Sequence, residues 1–338
     1  MILVTGGTGM LGAHLLYELC KTNAKVRAIY RSENAIQKTK KVFNYDVENG
    51  TELFEKIEWW EADVTDVPTL ESVFEGVTHV YHLAAKVSFD ENDAKQMRRI
   101  NIYGTANIVN FCIAFKVEKL CFVSSIATIS KTVNKEVIDE TDEFNVEANN
   151  YSYAITKYRA EMEVWRGAQE GLDVLVVNPG VILGAGFWSE NSGALFSMTH
   201  KRNPFFTEGV TGFIGVEDVV KVMISGMNSA IINERFVLVS ENKSFQEILF
   251  AIADNLQVKR PKIKVTNLIA EIGWRLSWLK SKLTKSANSF PKQSAKSANN
   301  KSYYSSSKAL KTFNLEFEKM SNVIAQLSKR YKEDLFKK

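Results

Sequence analysis

A chain of 338 residues, 45% hydrophobic and 24% charged, has an ordinary globular composition and is long enough to bury a large core. Its formal net charge of +4 is too small to argue for a nucleic-acid partner, and no apolar run reaches the roughly 18 residues of a membrane span. Cys20, Cys112 and Cys121 are scattered through apolar patterns, so the expectation is buried free thiols, no metal and a reducing, cytoplasmic setting; with the first strand starting at Met1, no signal peptide is expected.

The first predicted element is the short strand Ile2-Leu3-Val4, bounded by glycine. A glycine cluster follows, in which Gly7, Gly9 and Gly12 satisfy G-x-G-x-x-G, and then a helix over about 10–22. Strand, tight glycine turn and helix N-terminus together build an anion site. Glycine permits the sharp turn and the close approach of a pyrophosphate, while the free N–H groups of the helix point at the phosphates. The motif alone is weak, but the strand before it and the helix after it supply the context it requires. Gly6, Thr8, Gly9, Met10, Leu11 and Gly12 are therefore the expected dinucleotide cradle.

The second strand, over 25–30, ends at Arg31-Ser32, with no acid until Glu33. An acid about 20 residues after the glycines would bind the ribose 2′-hydroxyl of NAD, whereas an arginine there accommodates the 2′-phosphate of NADP. Arg31 thus points to NADP, with NAD the second choice. Residues 33–55 read as a surface helix and a connector. A third strand over 57–62 closes on Asp63-Val64, where Asp63 either meets the adenine or caps the next helix. The fourth strand, over 77–83, ends at Leu83 and runs into Ala84 and Ala85, whose small side chains let the backbone lie against the dinucleotide. A single helix is predicted over 92–115. Asn101 falls in its middle, as an exposed polar residue or a hydrogen-bonding site.

A fifth strand over 119–123 ends in Ser124-Ser125, and a helix begins near Tyr151 and runs to about residue 169. Tyr153 and Lys157, four apart, share one face of it. A phenol with an ordinary pKa near 10 is a poor proton donor or acceptor at neutral pH, but a neighbouring ammonium and a cationic nicotinamide both lower it. A tyrosine so tuned can exchange a proton with a carbonyl or alcohol oxygen while hydride moves at carbon. A serine at the strand end can hydrogen-bond the same oxygen.

TGGTGMLG at 5–12, DV at 63–64, HLAA at 82–85, NIYGT at 101–105, FVSSIAT at 122–128, YAITK at 153–157 and NPGVILG at 178–184 closely resemble the extended short-chain dehydrogenase/reductase family, the NAD-dependent epimerase/dehydratase superfamily. They occur in the family's order and span about two thirds of the chain. The resemblance implies a catalytic set of Ser125, Tyr153 and Lys157, with Lys157 also holding the nicotinamide ribose. Pro179, Val181 and Ile182 would pass beside the nicotinamide, and Asn101 would support the site. Ser124 competes for the serine role, and the family pattern favours Ser125. Tyr151 competes with Tyr153 but has no lysine four residues on. Ile126-Ala127-Thr128 lacks the acid typical of dehydratases, and Arg31 replaces the acid typical of epimerases. VRAIYRSEN at 26–34 looks most like the dihydroflavonol-reductase and 3β-hydroxysteroid-dehydrogenase-like branch.

The implied fold is α/β, a doubly wound parallel Rossmann sheet over 1–184 to which 213–240 returns, with a smaller, mainly helical substrate lobe over most of 185–338. A sixth strand is expected over 172–177, helices near 194–200, 215–220 and 245–256, and a further strand over 235–239. Phe187, Trp188, Phe205 and Phe206 are either pocket lining or core. Residues 257–311 are basic, with Glu271 the sole acid, and an amphipathic helix over 268–283 is expected to pack on its own lobe rather than on a membrane surface. A Ser-, Asn- and Lys-rich loop is expected over 285–307. The expected activity is NADP(H)-dependent hydride transfer on a small, fairly apolar substrate. The alternatives are an epimerase that retains NAD and a dinucleotide sensor without chemistry. The family's dimers through two helices of the nucleotide domain make a homodimer compatible with this reading.

Overall fold

The computed structural model describes residues 1–22, 24–132, 135–148, 150–284, 295 and 298–336. In chain order the strands are β1 (Ile2–Thr5), β2 (Val26–Tyr30), β3 (Ile57–Glu61), β4 (His79–His82), β5 (Lys119–Val123), β6 (Val137–Ile138), β7 (Asp173–Pro179), β8 (Val181–Leu183), β9 (Phe205–Phe206), β10 (Val210–Gly215), β11 (Glu234–Leu238), β12 (Glu241–Ser244), β13 (Ile263–Lys264) and β14 (Tyr303–Tyr304). A seven-stranded, wholly parallel sheet runs β11-β7-β5-β4-β1-β2-β3. Strand order reverses at β1, between β2 and β4, which places a ligand crevice at the carboxyl ends of those strands.

The first helices in chain order are α1 (Met10–Lys21), α2 (Glu33–Phe43), α3 (Gly50–Glu55), α4 (Val67–Val73), α5 (Ala94–Met97), α6 (Gly104–Ala114), α7 (Ser152–Gln169), α8 (Ala194–His200) and α9 (Val216–Met227), of which α8 packs with Leu183 and Phe213 rather than with this sheet. Alternate residues of each strand feed opposite faces. Val4, Cys121, Leu175 and Val177 pack with Leu15, Leu16 and Leu19 of α1 and Val219, Val220 and Met223 of α9. Leu3, Leu120, Val174 and Val176 pack with Leu70 and Val73 of α4, Ile108, Val109 and Cys112 of α6, and Ala160 and Val164 of α7. Burial on both faces explains why these strands read in the sequence as nearly continuous apolar runs.

The rest of the chain differs from expectation in several places. The helix predicted over 92–115 is broken into a 3-10 turn (Glu91–Asp93), α5, a π segment (Arg98–Tyr103) and α6. The connector before β3 contains α3. Phe213 and Ile214 are buried in β10, which pairs with β8 and β12 in a separate three-stranded sheet rather than in the main one. Leu183 and Phe213 of that sheet pack against α8, α10 (Phe245–Leu256) and a long last helix, Met320–Phe336. Phe187 and Trp188 are core rather than pocket lining: Trp188 packs edge-on to Phe196 and Tyr331 and donates to Asp334 at 2.6 Å. Phe205 is exposed on β9. The amphipathic helix is present as α11 (Asn267–Thr284). It buries Ala270 near Val265, yet leaves Leu268 71% and Leu276 62% exposed, so only part of its apolar surface packs on the lobe. Most of the loop expected over 285–307 lies outside the described residues.

Gly12 shows how tightly the first loop is closed, because a Cβ there would lie 2.2 Å from the Gly6 carbonyl oxygen and 2.7 Å from Gly7 Cα. Both neighbours are backbone and cannot swing aside. Gly12→Ala is expected to destabilise by about 3 kcal/mol through overpacking. Gly76→Ala, at φ +69° but with open space around it, should cost only about 1 kcal/mol for its left-handed backbone. Urea unfolding of the two variants checks the difference.

Candidate active site

The glycine loop leaves β1 at Gly6, whose φ of +73° suits glycine. A Cβ on Gly6 would come within 2.7 Å of the Ala84 amide nitrogen, so this loop and the Leu83-Ala84 segment after β4 lie in direct contact. Gly9 N–H donates to the Gly6 carbonyl at 3.0 Å and Gly9 forms the N-cap of α1. No side chain caps that helix and no acid stands in its first turn, so the amides of Met10, Leu11 and Gly12 remain open to an anion. Backbone amides around a cavity that a side chain would fill fit the pyrophosphate of a dinucleotide.

Arg31, at the end of β2, is 64% exposed and lies 3.9 Å from Asp63 at the end of β3. Asp63 spends its Oδ1 on Thr65, accepting from its amide at 2.8 Å and its hydroxyl at 2.9 Å. That closes a turn ahead of α4 but is not the expected helix cap, because Asp66 stands at the N-cap of α4 and no side chain caps it. Gly104 opens α6 so close to Val64 that a Cβ would sit 2.6 Å from its Cγ2.

Asn101 is a buried hydrogen-bonding residue. Its Oδ1 accepts from Lys86 N–H at 2.7 Å, and its Nδ2 donates to the Lys86 carbonyl at 3.0 Å and Thr156 Oγ1 at 3.1 Å. The amide thus ties the segment after Ala84 and Ala85 to α7, and its own donors and acceptor are occupied. The π segment that contains it widens the helix where this side chain turns inward. Beside it runs a buried relay that the sequence reading did not single out. His82 lies 2.6 Å from Thr5 Oγ1 and 2.9 Å from Thr105 Oγ1, and Thr105 donates to the Asn101 carbonyl at 2.6 Å. Burial, helped by the nearby Lys157 charge, pushes the His82 pKa down to about 3, so the ring is neutral.

β5 delivers Ser124 and Ser125 to the same edge, and α7 delivers Tyr153 and Lys157. Ser124 is buried and donates to Glu161 at 2.5 Å, so its hydroxyl is committed away from the crevice. Ser125 starts a 3-10 turn, accepting from Ala127 N–H at 3.2 Å, and faces Tyr153. Burial raises the Tyr153 pKa, and the hydrogen bond from Ser125 works the other way. Lys157 donates to the Val123 carbonyl at 2.7 Å and lies 4.2 Å from the centre of the Phe122 ring. Burial lowers its pKa to about 7, with Glu161 opposing the shift. Tyr151 stacks between Phe89 and Tyr153, and the residue four positions on is Ile155. Pro179 ends β7, and Val181 and Ile182 lie in β8, paired with Phe213 and Ile214. The structure therefore brings Ser125, Tyr153 and Lys157 to one place, at the strand ends that also carry the glycine loop.

A parallel doubly wound sheet with this open helix N-terminus defines a protein of the NAD(P)-binding Rossmann class. Residues 4–245 match an NAD-binding family described as male sterility protein, and the chain belongs to that family, within the extended short-chain dehydrogenases/reductases. It is similar to a putative dihydroflavonol 4-reductase of Synechocystis sp., with 25% identity over 95% of this chain and 92% of that protein. It is also similar to sterol demethylase protein B of Methylococcus capsulatus, 26% identical over 78% of this chain and 76% of that one. Among solved structures, the UDP-glucose 4-epimerase of Thermotoga maritima shares the fold, with a TM-score of 0.78 over 99% of both chains at 20% identity. The chain is an NAD(P)-dependent oxidoreductase of the extended family.

Removing the Asn101 amide leaves the Lys86 amide without its acceptor. Asn101→Ala is expected to cost about 1–3 kcal/mol. Urea unfolding, with hydrogen exchange at Lys86 N–H, measures it.

Proposed function

We propose that the chain transfers hydride between NADP(H) and a carbonyl or secondary alcohol of a small, fairly apolar substrate. The observation that carries this reading is the convergence of Ser125, Tyr153 and Lys157 at the sheet edge that holds the glycine cradle. Bound NADP(H) supplies or accepts the hydride. Tyr153 gives its phenolic proton to the substrate oxygen in reduction and takes it back in oxidation, Ser125 positions that oxygen, and the Lys157 ammonium lowers the cost of the phenolate. Gly6, Thr8, Gly9, Met10, Leu11 and Gly12 hold the pyrophosphate. Val64, Leu83, Ala84 and Ala85 line the dinucleotide, Pro179, Val181 and Ile182 flank the nicotinamide, and Arg31 takes the 2′-phosphate.

In this reading, residues 1–184 with 213–240 bind the cofactor, and most of 185–338 shapes the substrate site. Parallel pairing of β11 with β7 supports the assignment of 234–238 to the cofactor unit. An apolar substrate is supported by the likeness to a dihydroflavonol reductase and a sterol demethylase protein. The buried free thiols of Cys20, Cys112 and Cys121 are in keeping with a reducing cytoplasm.

Tyr153→Phe removes one hydroxyl and should lower turnover by about 100-fold or more. The assay is NADPH oxidation against a panel of apolar ketones, with cofactor binding, read by energy transfer from tryptophan, unchanged. Retained turnover would sink the assignment. Arg31→Gln should weaken NADPH binding by about tenfold, the loss of one charge-assisted hydrogen bond, and leave NADH binding unaltered. Native protein that prefers NADH would move the reading to an NAD-retaining epimerase.

A further inference from the structure

Glu161 stands four residues beyond Lys157, on the same face of α7. Its side chain is 1% exposed, an unusual position for a carboxylate unless it is paired. Donors ring it. Ser124 Oγ at 2.5 Å, Thr128 Oγ1 at 2.9 Å and Asn178 Nδ2 at 3.1 Å all point to Oε2. Trp165 Nε1 donates to Oε1 at 3.2 Å, and the Arg235 guanidinium lies 3.5 Å from the same oxygen. These partners come from the end of β5, the turn after it, β7, α7 itself and β11. Four hydrogen-bond donors and a guanidinium at ion-pair distance face Glu161, an arrangement that suits a carboxylate.

Lys157 needs such a partner. Its Nζ has a carbonyl and a ring face, but neither carries a formal charge. The titratable groups that face Lys157 and Glu161 are Tyr153 from α7, His82 from β4 and Arg235 from β11. His82 is neutral and Arg235 is a cation. Glu161 is the anion that acts on Lys157.

We infer that Glu161 is a positioning residue, whose carboxylate keeps the Lys157 ammonium charged and whose ring of partners locks α7 to the ends of β5 and β7 and to the start of β11. The inference rests on the reading of Tyr153 and Lys157 as the proton-transfer pair. Glutamine in its place has the same shape, but its NH2 must face either the Oε2 donors or the pair Trp165 and Arg235, and it carries no charge.

The test is an NMR titration of the full chain labelled with 13C at lysine Cε, with the Lys157 signal assigned by its absence in Lys157→Met. Burial sets the Lys157 midpoint at about 7, and Glu161 holds it from falling further. Glu161→Gln should lower that midpoint by about one pH unit. Arg235→Gln removes the opposing cation and should raise it, while Glu161→Asp should fall between Glu161→Gln and the native protein. A midpoint that stays put in folded Glu161→Gln and Arg235→Gln proteins overturns the inference. Should Glu161→Gln fail to fold, the Arg235→Gln titration decides alone: an upward shift supports the coupling and no shift refutes it. The titration needs no substrate. A shifted midpoint beside an active Tyr153→Phe would therefore remove the proposed role of Tyr153 and leave the coupling standing. An unmoved midpoint beside an inactive Tyr153→Phe would do the reverse.

Discussion

A buried ammonium is the constraint on which the working edge of the sheet depends. Lys157 is enclosed at the carboxyl end of β5, where desolvation works against its charge. Almost everything around it compensates for that cost. The Val123 carbonyl and the Phe122 ring hold it in place, His82 stays neutral beside it, and Glu161 sits one helical turn below. The neutrality of His82 matters because its ring is already committed to Thr5 and Thr105, one on each side, and a second cation there would oppose Lys157. Thr5 also accepts the Ala84 amide at 3.2 Å, so the glycine loop of β1 and the end of β4 are set by one hydrogen-bonded group.

The parallel sheet and the glycine loop were legible in the sequence for a physical reason. Strands buried on both faces become short apolar runs, and a loop that must approach a ligand closely becomes glycine-rich. Tyr153 and Lys157 were legible because helical spacing places them together without knowledge of anything else. Asn101 was half legible. Its poor fit to a helix marked it as unusual, but only the structure shows Lys86 and Thr156 around its amide. Glu161 carried the same four-residue signal as Lys157, extended by one turn. Its donors come from Ser124, Thr128, Asn178 and Arg235 on other elements, so the spacing alone could not tell a solvated face from a buried one.

The second half of the chain was less legible because its partners are far apart in sequence. Trp188 is core only because Tyr331 and Asp334, near the last described residues, come back to meet it. β8, β10 and β12 are short, and one of their pairings is parallel while the other is antiparallel, so neither gives a run long enough to read. The apolar stripe of α11 shows the opposite failure. Periodicity reports that a face is apolar, not whether the protein covers it, and here Leu268 and Leu276 stay exposed.

Asp334 joins the two halves. Burial alone would raise its pKa, but Tyr45 at 2.6 Å, Trp188 at 2.6 Å and Lys41 at 2.9 Å hold its carboxyl below the ordinary range. Tyr45 and Lys41 belong to α2 and the turn after it, directly downstream of Arg31, whereas Trp188 and Asp334 belong to the C-terminal part. Lys38 of α2 adds a second tie, to Glu190. The C-terminal part is thus anchored to the β2 side of the sheet through charged and polar contacts, while Ser125, Tyr153 and Lys157 occupy the β5 side. A second anchor lies on the β5 side, where β14 pairs with β6 and Tyr304 packs against Ile126, Ile129 and Ile138. The C-terminal part is thus held on both sides, by a hydrogen-bonded carboxylate on one and by strand pairing and apolar packing on the other.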